Sequence, residues 1–203
     1  RDYIRLIGSN NRYTFDAADK AVRVTQTGGT VTTANNGTTD SGAVEGKYTF
    51  QGGTITTLNN KKGTFSQSGG TVTTANNDAT YTQTDGNAGT VTNTNSYTIS
   101  GGKITTSITN NSSSAALGIS GTADVKLVTN TNGTVTQSGG TVENATNSKT
   151  YSISDGKVTG KLTNNNSNSR LTVSSNGEIT TLDNNQGQTT QSGGRSEERR
   201  VGK

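Results

Sequence analysis

The chain has 203 residues and a formal net charge of +4, with 25% of residues hydrophobic and 4% aromatic. His and Cys are both absent, which excludes imidazole and thiol catalysis, disulfides and thiolate metal sites. A mean hydropathy of -0.73 belongs to the range of disordered chains, yet the few apolar residues recur at fixed phase, and a recurring phase specifies structure.

Residues 1–21 read as a first partial coil or an irregular leading segment, with Arg1, Arg5 and Arg12 supplying much of the net positive charge of residues 1–194. Met is absent and the opening run RDYIRLI reads like the middle of a strand, so the expectation is a segment of a longer protein, truncated at both ends. From Val22 to Gly194 one unit repeats about ten times. It is complete in FSQSGGTVTTANN, Phe65 to Asn77, and its Gly-Gly pair recurs at Gly28-Gly29, Gly52-Gly53, Gly101-Gly102, Gly139-Gly140 and Gly193-Gly194. Degenerate copies centre on Asp85-Gly86, Gly121, Asp155-Gly156 and Asn176-Gly177. A short repeat of this kind builds a stack of coils, each stabilised by its neighbours. The expected fold is all-β: a parallel β-solenoid (β-helix) of about ten coils of 16–24 residues, right-handed by the rule for parallel crossovers.

Within each coil, spacings of two mark one face of a strand. Four residues before the first glycine stand Val24, Tyr48, Phe65, Tyr81, Tyr97, Leu117, Val135 and Tyr151; two before it stand Gln26, Phe50, Gln67, Gln83, Ile99, Ile119, Gln137, Ile153 and Gln191. Two after the second glycine come Val31, Ile55, Val72, Val91, Ile104, Val142, Val158 and Ile179, followed by Ala34, Leu58, Ala75 and Leu182. All of these are expected to point inward, the glutamines as a hydrogen-bonded ladder. Each coil then has two short strands joined by a Gly-rich corner. Asn35-Asn36, Asn59-Asn60, Asn76-Asn77, Asn110-Asn111 and Asn184-Asn185 mark the opposite corner, where Asn accepts the left-handed conformation and bonds to the next coil. Spacing breaks from Ala115 to Asn132 and from Arg170 to Gly177, which read as bulged coils.

After Gly194 the repeat stops. Residues 195–203, RSEERRVGK, have a composition found nowhere else in the chain and resemble the in-frame translation of a common short-read sequencing adaptor. They read as a non-native, unpacked tail. Arg195, Arg199, Arg200 and Lys203 against Glu197 and Glu198 give that tail +2, leaving +2 for residues 1–194. That residue of charge forms no basic stripe with interleaved aromatics, so a nucleic-acid partner is not expected.

No catalytic constellation emerges, and neither enzymatic activity nor a cofactor or metal is expected. Outside the tail the carboxylates lie singly along the chain, whereas a polysaccharide-cleaving β-helix needs paired acids. Asp85, Asp155 and Asp183 recur at corners, where turn chemistry accounts for them. The outward pairs Thr30/Thr32, Thr54/Thr56, Thr71/Thr73 and Thr90/Thr92 form the one candidate ligand face; a flat threonine array resembles the ice-binding face of antifreeze solenoids. Lys103, Lys157 and Glu178 replace the first threonine in later coils.

The SGGTVTTANN-type coil, from Val22 to Gly194, resembles the passenger repeats of bacterial surface adhesins, namely the self-associating autotransporters and the filamentous haemagglutinin class. The resemblance implies a secreted or cell-surface rod that binds host or bacterial glycans or proteins through its sides, self-associates, and meets a membrane only through an anchor domain outside this segment. The Asn-Asn corners depart from the autotransporter pattern. Two other readings compete: an ice-binding solenoid, and a phage tail-fibre or polysaccharide-active β-helix.

Overall fold

The computed structural model describes residues 3–6, 12–14, 23–39 and 44–199, and contains strands but no helix among them. In chain order the strands are β1 (Tyr3–Leu6), β2 (Arg12–Thr14), β3 (Arg23–Gln26), β4 (Thr30–Asn36), β5 (Gly46–Phe50), β6 (Thr54–Asn60), β7 (Gly63–Asn77) and β8 (Thr80–Asn93). There follow β9 (Ser96–Ile99), β10 (Lys103–Ile119), β11 (Asp124–Asn147), β12 (Thr150–Val173), β13 (Glu178–Gln191) and β14 (Arg195–Arg199). They form one 14-stranded sheet whose pairings are parallel throughout. The architecture is a parallel β-solenoid of about nine turns, roughly 43 Å long at the usual interstrand spacing.

Threonine, valine and isoleucine favour this backbone because β-branched side chains pack well on a pleated surface. Each coil carries three paired segments rather than the expected two. In β7 they are Thr64–Gln67, Thr71–Val72 and Thr74–Asn77; the register against β8 shifts between the first two and is constant across the second and third. The first bend is the Gly-rich corner; the second falls where the inward spacing stretches from two residues to three, Val72 to Ala75.

The apolar rows stack as expected. Val31, Ile55, Val72, Ala88, Ile104 and Val125 follow one another on successive coils, as do Val142, Val158 and Ile179. Ala88, not Val91, occupies this row: Val91 pairs with Ala75 and belongs to the next one. The corner of that coil is Asp85-Gly86, with Gly86 at φ 83°, so Gly89-Thr90-Val91 only imitates a Gly-Gly-Thr-Val start.

A second row carries the aromatics. Tyr48, Phe65, Tyr81 and Tyr97 stack with ring centroids 5.1, 4.7 and 4.3 Å apart. The inward glutamines are buried but do not bond to one another. Each serves a tyrosine of the next coil: Tyr48 Oη donates to Gln26 Oε1 (2.6 Å), Tyr81 to Gln67 (2.5 Å), Tyr97 to Gln83 (2.6 Å) and Tyr151 to Gln137 (2.8 Å). Where the glutamine is replaced by an apolar residue, the next coil brings an apolar partner. Phe50 precedes Phe65, Ile99 precedes Leu117, and Ile119 precedes Val135. The exception is Thr189, one coil beyond Val173, whose Oγ1 is the buried side-chain atom left without a partner among the described residues. Gln191 departs from the inward set and is exposed; β14 covers only the second and third segments of the next rung, so no described residue encloses it.

The amide ladder exists, but in asparagine. Asn36, Asn60, Asn77, Asn93, Asn110, Asn130, Asn147 and Asn164 each donate Nδ2 to Oδ1 of the next, ending on Asn184, at 2.7–3.2 Å. The second amide proton goes to a backbone carbonyl, as from Asn60 to Thr80 O at 2.9 Å. None of these asparagines is left-handed: the non-glycine residue with positive φ among those described is Ser175, at 49°. The strand geometry aims the amides along the rod, which the left-handed conformation would not do. The ladder also corrects the phase of Asn110-Asn111 and Asn184-Asn185, where the first asparagine, not the second, is the rung.

The bulges fall earlier than spacing suggested. Register shifts separate Asn111 from Ala116 and Asn165 from Arg170, so the extra residues directly follow the asparagine row. At the near end, β1 and β2 pair with β3 and β4, extending the stack into residues 1–21. At the far end, Arg195–Arg199 is not unpacked but pairs in parallel with β13 as β14. Backbone pairing needs only strand-compatible residues, so a charged composition does not prevent it. The remainder of that tail lies outside the described residues.

Candidate functional site

The candidate face lies just after the Gly-rich corner. Thr30, Thr54 and Thr71 stack in register and are half-buried, while Thr32, Thr56 and Thr73 beside them are exposed. Thr90 and Thr92 do not join them; they pair with Thr74 and Asn76 on the following segment. The same misphased coil that displaces Val91 displaces this pair. In the array the next positions are Asn87 and Gly89. A Cβ at Gly89 would sit 2.4 Å from Thr73 O, so no side chain fits there and the threonine array ends three coils deep.

Beyond it charged residues enter both columns. Asn87, Lys103 and Asp124 continue the first column, followed by Thr141, Lys157, Glu178 and Arg195. Lys103 Nζ lies 3.2 Å from Asp124, Lys126 2.9 Å from Glu143, Lys157 3.3 Å from Glu178 and Lys161 2.9 Å from Asp183. The hydrogen bond and charge of Glu143 hold the Lys126 ammonium above its ordinary pKa. The first three pairs are exposed, while Asp183 in the fourth is half-buried; exposed pairs contribute little stability, and their consequence is a face that is densely charged yet neutral. Opposite signs at successive post-corner positions are readable in the sequence once the coils are phased. Sequence reasoning missed them because it followed the threonines.

The corner aspartates act as turn residues. Gly86 N and Gly156 N donate to Asp85 Oδ1 and Asp155 Oδ1, both at 2.7 Å, and Asp183 belongs to the ion pairs. No group of three or more acids placed to hold a metal ion occurs among the described residues. Compared with family models, with curated proteins and with solved structures, the chain gives no match.

Proposed function

We propose that this chain is part of a secreted or surface-displayed rod that binds cells, matrix or glycans through its sides. The observation that carries the reading is how the polar groups are divided. Inward amides are spent on bonds between coils, while outward positions offer hydroxyls, amides and neutralised ion pairs. Such groups hydrogen-bond a sugar or another rod's flank but do not activate water. Contacts of this sort are weak singly and gain through repetition. The test is binding to cells and to a glycan array by the free chain and by beads carrying it at increasing density, alongside turnover of acidic polysaccharides. The reading predicts binding that rises steeply with density, and no turnover. Density-independent binding, or measurable turnover, would contradict it.

The exposed column Thr32, Thr56 and Thr73 favours a second reading, ice binding. An array three coils deep presents little area to an ice plane, so we rank it below adhesion; thermal hysteresis measures it directly.

A further inference from the structure

The corner after the asparagine row is where coils differ most. Two residues cross it at Asp78-Ala79, Thr94-Asn95 and Ser148-Lys149. Between Asn165 and Arg170 the register shifts and residues 166–169 leave the ladder. This bulge is tied together internally: Ser169 Oγ, on a buried residue, donates to Asn166 O at 2.6 Å, and Asn168 N donates to Asn166 Oδ1 at 2.9 Å; Gln186 O of the next coil lies 3.2 Å from the same hydroxyl. Beside it lies a cleft of about 370 Å³, lined by Lys149, Thr150, Ser167, Asn168, Arg170 and Gln188 among others. That volume falls within the range of small-ligand sites.

The lining holds two cations and no carboxylate. Arg170 Nη1 donates to Gln188 Oε1 at 2.7 Å, which steadies the guanidinium and leaves its other N–H donors for a ligand. Neither Arg170 nor Lys149 takes part in the ion pairs of the described residues. A cleft of nearly equal size, about 340 Å³, lies at the same corner five rungs earlier, lined by Lys61 and Lys62 but also by Glu45 and Asp78. The two clefts are roughly 24 Å apart along the rod and differ in charge balance.

We propose that the Lys149–Arg170 cleft binds a carboxylate-bearing sugar unit of an acidic glycan. The guanidinium and ammonium meet the carboxylate, where charge-assisted and forked hydrogen bonds are strongest. Thr150, Ser167 and Asn168 suit ring hydroxyls. This names the ligand class of the glycan-binding reading and rests on it. The experiment is titration of the 15N-labelled chain with trigalacturonate, with maltotriose and a sulfated trisaccharide as parallel arms. Saturable amide shifts are expected at residues 149–150, 166–170 and 188 with the uronate alone, and not at 61–63. Lys149→Gln with Arg170→Gln should weaken binding at least tenfold at an unchanged melting temperature, while Lys61→Gln with Lys62→Gln should leave it intact. Equal shifts with maltotriose, shifts only with the sulfated sugar, or none at this cleft would overturn the proposal. In that last case, persistent density-dependent cell binding would leave the adhesive reading standing. Uronate binding at the cleft without adhesion to cells or matrix would support the cleft and remove the adhesive role.

Discussion

Gln67 is fully enclosed, and its amide is spent at both ends. Oε1 accepts from Tyr81 Oη, while Nε2 donates to Gly69 O and Gly70 O at 3.3 Å and to Asn87 O at 3.0 Å. Burying an amide or phenol without a partner costs about 1–3 kcal/mol, so each residue is costly without the other. The natural alternatives Ile99/Leu117 and Phe50/Phe65 show the same site built from apolar pairs. Tyr81→Phe alone should therefore destabilise by about 1–2 kcal/mol, because Gln67 Oε1 loses its donor. Gln67→Ile alone should cost at least as much, stranding the tyrosine hydroxyl. The double variant should cost clearly less than the sum of the singles in urea unfolding. Additive costs would show that the pair is not coupled.

At the scale of strand and corner, what the sequence made legible was whatever depends on phase alone. The three copies that open at Gly28, Gly52 and Gly69 repeat their glycines and β-branched residues without interruption, and their rows stack as read. Phase failed where one motif imitates another: Gly89-Thr90-Val91 looks like a corner and its first rung, while the true corner is Asp85-Gly86. The asparagines were located but misread, because a corner asparagine suggests a left-handed turn, whereas a strand asparagine at constant phase can run an amide tape up the rod. The coupling of Gln67 to Tyr81, of Gln83 to Tyr97 and of Gln137 to Tyr151 was open to reading, since each pair lies 14 residues apart. It went unseen because glutamines were matched with glutamines. The cleft beside Asn166 was not legible, since a register shift there moves residues that no repeat constrains. Likewise β14 follows from hydrogen bonding of the backbone, which composition does not report.

Across the whole molecule, the buried phenols tie stability to alkaline pH. Burial holds Tyr48, Tyr81, Tyr97 and Tyr151 well above their ordinary value, and for Tyr97 the neighbouring Tyr81 adds to the effect. A group raised in the folded state contributes stability that is fully present below its unfolded pKa, about 10, and lost as pH climbs towards the folded value. Four such groups give a fall of roughly 5 kcal/mol per pH unit above that point. Urea midpoints should hold level to near pH 10 and then drop steeply; a midpoint unchanged to pH 12 would show the phenols are not enclosed. The stacking itself sets distances that sequence separation does not. Thr56 and Thr180 are exposed and lie 124 residues apart, yet they follow Ile55 and Ile179, seven rungs apart in one row. Because the chain has no cysteine, nitroxides placed through Thr56→Cys and Thr180→Cys report on these two sites alone. Pulsed electron–electron resonance should give a narrow distribution near 34 Å, seven steps of about 4.8 Å. A broad distribution centred near 60 Å, the value for a flexible chain of that length, would contradict the solenoid.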